Sequence, residues 1–89
     1  MANFNFGIDC PDSDSAEKLM NHIKGVDLYQ DGLDFDDERV SVISKSGMLE
    51  VLKGFASANS LELSVEVWPE DMEYDDAEES GDMELHSFE

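Results

Sequence analysis

The chain has 89 residues, of which 23 are acidic and 5 basic, for a formal charge of −18, and 40% of its residues are hydrophobic. That length suits one compact domain and is too short for two, while the hydrophobic content is too high for a uniformly disordered acidic chain. The charge lies far outside the magnitude of roughly 2 to 8 that keeps a small domain soluble, and it excludes nucleic acid and anionic membranes as partners, because both would repel it.

The N-terminal stretch MANFNFGIDC carries no positive region and no apolar run of signal-peptide length. Nothing approaches the roughly 20 apolar residues of a membrane span, so a cytoplasmic location is expected. Within that stretch Phe4, Phe6 and Ile8 alternate with Asn3, Asn5, Gly7 and Asp9, the period of a half-buried strand, and Pro11 stops it. Cys10 is the single cysteine, which excludes an intramolecular disulfide and a cysteine zinc cage; a small buried or strand-end residue is expected there.

In DSDSAEKLMNHIKG, the residues Ala16, Leu19, Met20 and Ile23 share one helical face. The spacing predicts a helix over about 14–24, with Ser13 or Asp14 as N-cap and Gly25 as the stop. VDLYQDGLDFDDERVSVIS has a turn signal at Asp31-Gly32 and alternation at Leu33 and Phe35, then again at Val40 and Val42, so two short strands joined through Asp37-Glu38 are predicted. In SKSGMLEVLKGFASAN, Met48, Val51, Leu52 and Phe55 recur at helical spacing, with Ser46 as the candidate cap and Asn59 as the stop. LELSVEVW alternates most clearly, with Leu61, Leu63, Val65 and Val67 on one face and Glu62, Ser64, Glu66 and Trp68 on the other.

The order strand, helix, strand, strand, helix, strand predicts an α+β fold of the ferredoxin-like βαββαβ type, an antiparallel sheet with two helices on one face. Residues 1–68 form this core domain and 69–89 an acidic C-terminal segment packed on it or extending the sheet. That segment holds ten acids and no base. Met72 and Tyr74, then Met83 and Leu85, alternate with acids around a Ser80-Gly81 turn signal, so a hairpin, one added strand and disorder all stay open.

No chemistry-bearing constellation emerges. His22 and His86 lack a second ligand at helical spacing, and the acids of DGLDFDDE do not follow the calcium-loop register. Gly47 and Gly54 stand alone rather than in a phosphate loop, and the interleaved carboxylates should face water rather than a pKa-shifting pocket. No catalytic, metal or cofactor site is expected, and the chain is not expected to be an enzyme.

An RNA-recognition sheet of the predicted topology would show aromatic and basic groups on its open face. Here that face would carry Asn3, Asn5, Asp9, Asp34, Asp36, Glu62 and Glu66, the opposite sign. Carboxylates at i and i+2 of a strand lie roughly 6.6 to 6.8 Å apart, close to successive phosphates. The partner expected is therefore a basic nucleic-acid-binding protein or complex, met by Asp34, Asp36, Asp37, Glu38, Glu62, Glu66, Glu70, Asp71, Glu73, Asp75 and Asp76 as phosphate substitutes. Trp68 and Tyr74 are the expected desolvated anchors, with Tyr29 a further candidate. An acidic interaction module of immunity or antitoxin type, pairing a sheet edge with its partner, is the alternative. Monomer and dimer are both compatible with the sequence.

In size, sign of charge and acidic strand pattern (DFDDE, LELSVEVWPEDMEYDD), the chain resembles the small acidic proteins that phages make against host defences, among them anti-CRISPR proteins and anti-restriction DNA mimics. The resemblance implies a stoichiometric inhibitor that occupies the DNA-binding groove of a CRISPR effector or restriction enzyme in the host cytoplasm.

Overall fold

The computed structural model describes residues 3–26 and 29–88, the side chains of 29–31 excepted. It is an α+β fold, one five-stranded antiparallel sheet with three helices: β1 (Phe4–Asp9), α1 (Ser13–Lys24), β2 (Tyr29–Asp36), β3 (Arg39–Ser44), α2 (Met48–Asn59), β4 (Leu63–Pro69), α3 (Tyr74–Ser80) and β5 (Glu84–Phe88). The strands lie in the order β2-β3-β1-β4-β5. The central strand β1 pairs with β3 from Phe4↔Ser44 to Asp9↔Arg39 and with β4 from Phe4↔Pro69 to Asp9↔Ser64.

Alternation fixes which side of each strand faces the core. Phe6 and Ile8 of β1, Val40 and Val42 of β3, and Leu63, Val65 and Val67 of β4 are buried in one cluster with Leu19 and Ile23 of α1 and Leu52 and Phe55 of α2. His22 and Phe55 bring the two helices together, with ring centroids 5.3 Å apart. Ser44, also buried, is a polar exception at the end of β3.

The helix ends differ from the sequence expectation. The N-cap of α1 is Asp12, one residue before the nearer candidate, and its side chain accepts the Ser15 amide at 2.8 Å. That amide holds the Asp12 carboxyl below its ordinary range. Gly47 precedes α2 without a side-chain cap bond, so Ser46 does not cap it. Asn59 ends α2, its Nδ2 donating to the Phe55 carbonyl at 2.9 Å, and Ser60 takes the left-handed conformation beyond it.

Asp31-Gly32 is not a turn. β2 runs through it, with register shifts on either side of Asp31 and Gly32 at φ 70°; an irregularity that needs positive φ selects glycine inside a strand. Asp37-Glu38 does join β2 to β3, Asp37 adopting φ 50°, and the Cys10 amide donates to the Glu38 carbonyl at 2.8 Å. Leu61 and Glu62 precede β4 rather than belonging to it. Tyr29 lies on β2, but its side chain is outside the described residues.

The acidic segment is folded. β5 adds to the sheet edge beside β4, from Leu63↔Phe88 to Val67↔Glu84. Tyr74, whose alternation with Met72 left a hairpin open, instead begins the helix α3 over residues 74–80. Asp75 and Asp76 in the first turn suit the positive end of the helix, and Gly81 at φ 80° ends it. Ala77 is fully buried yet stands outside the main core cluster, because α3 packs on the other side of the sheet through Tyr74.

Candidate protein-binding face

The register sets the open face of the sheet residue by residue. Asn5, Gly7 and Asp9 of β1 lie beside Ile43, Ser41 and Arg39 of β3 and beside Trp68, Glu66 and Ser64 of β4. On β2, Asp34 is opposite Ser41 and Asp36 opposite Arg39. On β5, Leu85 is opposite Glu66, and it is 73% exposed.

A polar network crosses this face. Arg39 extends from β3 over β1, donating through Nη1 to Asp9 Oδ1 at 2.9 Å and through Nη2 to Glu66 Oε1 at 3.0 Å. Gly7 makes room: a Cβ there would strike Nη2 and lie 2.9 Å from Cζ. Partial burial pulls the guanidinium's pKa down, but the bonds to Asp9 and Glu66 outweigh it and hold it above its ordinary value. Tyr74 reaches back from α3 and donates its hydroxyl to Glu66 Oε2 at 2.6 Å, while its ring meets Trp68 edge to face at 5.3 Å. The bond to Glu66 is the main reason that the Tyr74 hydroxyl is pushed up to about 12.

Glu66 therefore has both oxygens engaged within the chain and differs from the other proposed phosphate substitutes. The structure brings Glu66, Trp68 and Tyr74 into one cluster. It separates the remaining acids into two corners. Asp34, Asp36, Asp37 and Glu38 lie on β2 and its turn, at the Asp9 end of the sheet. Glu70, Asp71, Glu73, Asp75 and Asp76 lie at the Phe4 end, on the turn after β4 and the start of α3. Five residues along β1 and two to three strand spacings across put these corners roughly 20 Å apart. Glu62 belongs to neither corner; it is exposed in the loop between α2 and β4.

The sequence distributes its charge unevenly over this architecture. Residues 12–24 and 45–59, which contain α1 and α2, carry four acids (Asp12, Asp14, Glu17, Glu50) and four lysines (Lys18, Lys24, Lys45, Lys53), net zero. The rest of the chain carries the other 19 acids and a single base, Arg39, which accounts for the entire −18. That one base is spent on Asp9 and Glu66. Among the described residues, Asp34, Asp36 and the acids of α3 form no ion pair.

A shallow depression of about 170 Å³ interrupts the open face, lined by Asn5, Gly32, Ser41, Ile43 and Trp68 among others. Asn5 donates its Nδ2 to the Pro69 carbonyl at 3.1 Å, leaving its Oδ1 as the acceptor of the amide. Among the described residues no group of three or more His, Cys, Asp or Glu could hold a metal ion, and no helix is long and apolar enough to cross a membrane. Cys10 is buried and free, and burial, reinforced by Asp9 and Asp12, pushes its thiol up to about 11.

Arg39 and Gly7 are the residues whose roles the sequence reading missed. The signal was present: an isolated glycine inside an alternating strand marks a close approach, here by a side chain from the neighbouring strand. No protein-family model, curated protein or solved structure matches the chain.

Proposed function

We propose that the protein is a stoichiometric inhibitor that presents the open face of its sheet, together with α3, to the cationic nucleic-acid-binding groove of a host defence complex such as a CRISPR effector or restriction enzyme. The observation that carries this reading is the charge partition: the α1 and α2 segments are neutral and the whole −18 lies elsewhere in the chain. Acidity serving solubility alone would be spread over both layers. The scaffold also matters, because a cationic groove distinguishes anions held at set positions from a mobile tail; the acids of α3 are fixed by the Tyr74 bond and the burial of Ala77.

The first six elements read as a ferredoxin-like βαββαβ unit, with α3 and β5 as additions that extend its acidic surface. The strand order supports this, since β3 lies between β1 and β2, and β4 flanks β1. Such a decoy acts in the cytoplasm, where the nucleic-acid machinery is, and turns over no substrate. Its phosphate substitutes are Asp34, Asp36, Asp37 and Glu38 at one corner and Glu70, Asp71, Glu73, Asp75 and Asp76 at the other, while Glu66 orders the centre.

A second reading, an adaptor that pairs its sheet edge with a partner strand, is favoured by one observation. Leu85 is a large apolar side chain exposed on the edge strand β5, and exposed edges are sites of strand addition.

Competition separates the two. The tagged protein is used to capture a partner from host lysate at low salt, and oligonucleotide is then titrated in. Under the decoy reading oligonucleotide displaces the protein, raised salt weakens binding steeply, and the quadruple variant D34N/D36N/D75N/D76N loses the partner while E17Q/E50Q on the helix layer keeps it. Oligonucleotide and protein bound to the partner at once would rule the decoy out. Salt-tolerant binding that is lost on Leu85→Lys would favour edge pairing.

A further inference from the structure

We propose that the depression between Trp68 and Gly32 on the open face receives an arginine side chain of the partner. The inference rests on the decoy reading of this face and adds the side-chain chemistry that the face selects.

The groups around the depression define what fits. Trp68 is the indole in the lining, and a planar guanidinium stacks on an indole. Asn5 Oδ1 and the Ser41 hydroxyl are acceptors in the lining, and neither has a hydrogen-bond partner among the described residues. Asp34 stands directly across from Ser41 on the next strand. It is not among the residues lining the depression and adds negative charge beside it.

A guanidinium combines a flat face for the indole with several N–H donors in its plane for these oxygens. An ammonium has the charge and donors without the flat face. An apolar side chain would cover the Asn5 and Ser41 oxygens without bonding them, at a cost. An anion would meet Asp34 and the charge of the whole face. The neighbouring cation does not cancel the site, because Arg39 is turned over Gly7 toward Asp9 and Glu66 and is matched by both.

Trp68 is the only tryptophan in the chain, so its emission reports on the depression directly. The full-length protein is titrated at low salt with hexa-arginine, with hexa-lysine and with a penta-lysine peptide carrying one leucine, following Trp68 emission and, in parallel, calorimetry. The expected result is that hexa-arginine binds roughly threefold to tenfold more tightly than hexa-lysine and alone changes Trp68 emission. In Ser41→Leu, which fills the depression from the open face, and in Trp68→Leu, followed by calorimetry, that preference falls toward one while circular dichroism stays unchanged. Trp68 is half-buried and outside the core cluster, so the second variant keeps the test valid if the first fails to fold.

Equal binding of arginine and lysine peptides overturns this site and leaves the decoy reading standing. An arginine preference that persists in Trp68→Leu also overturns it, as does a leucine peptide that equals or exceeds hexa-arginine. Failure of every cationic peptide to bind would overturn the site and the decoy reading together.

Discussion

Arg39 and Glu66 sit on strands that do not pair with each other, yet Nη2 of the one meets Oε1 of the other at 3.0 Å over Gly7 of the intervening β1. The bridge links β3 to β4 on the face away from the core, and its geometry requires the missing Cβ. Gly7→Ala should therefore displace the guanidinium and destabilise the fold by about 1 kcal/mol. In an Arg39→Met background the same substitution should be neutral or stabilising by up to about 1 kcal/mol, since alanine loses less backbone entropy than glycine in a strand. Urea melts of the four proteins in this cycle read the change of sign; the same sign in both backgrounds would refute the bridge.

Tyr74 ties α3 to the sheet in its protonated form only. Its hydroxyl is raised from 10.0 to about 12, so the folded chain keeps a proton that the unfolded chain releases. The stabilisation is complete below the unfolded pKa and declines as pH rises from about 10 through 12. Tyrosinate absorbance of the native protein should show a late titration step that Tyr74→Phe removes, and the same substitution should speed hydrogen exchange in α3. A native titration centred at the ordinary tyrosine value would contradict the bond to Glu66.

Cys10 should be inert despite being the only thiol. With its pKa near 11 instead of 9.0, the thiolate fraction at pH 8 drops roughly a hundredfold relative to an unperturbed thiol. Alkylation by iodoacetamide should then be slower in the native protein than in urea by at least about that factor, burial adding its own protection. Comparable rates in the two conditions would show that the end of β1 opens readily.

Core and edge leucines should differ sharply. Leu52 is fully buried and Leu85 is 73% exposed. Leu52→Ala should cost about 2 to 5 kcal/mol, and Leu85→Ala should stay within about 0.5 kcal/mol. A large loss of monomer stability for Leu85→Ala would mean that β5 packs more deeply than its exposure indicates.

Added salt should stabilise the fold. Unneutralised charge of one sign repels itself across the open face and α3, and this repulsion is screened once the Debye length falls to about 10 Å or less. The thermal midpoint should rise between about 10 mM and 500 mM sodium chloride, and D75N/D76N should reduce that rise. A midpoint insensitive to salt would mean that the acids do not repel one another in the folded chain.

Alternation at Phe6, Ile8, Val40, Val42, Leu63, Val65 and Val67, and helical spacing at Leu19, Ile23, Leu52 and Phe55, were enough to place the core, because side-chain period follows from backbone geometry alone. The sign and size of the net charge were legible for the same reason: they depend on composition and not on contacts. Residues 74–80 were not, since a seven-residue helix shows too few turns for its period to stand out; the acidic first turn and the following Gly81 were the available signs. What only the tertiary structure decided is neighbourhood. Sheet order places β1 between β3 and β4, which lets Arg39 reach both Asp9 and Glu66, withdraws Glu66 from the set of free acids, and divides the others between two corners. Local sequence cannot specify that arrangement, because it arises from pairings between strands far apart in the chain.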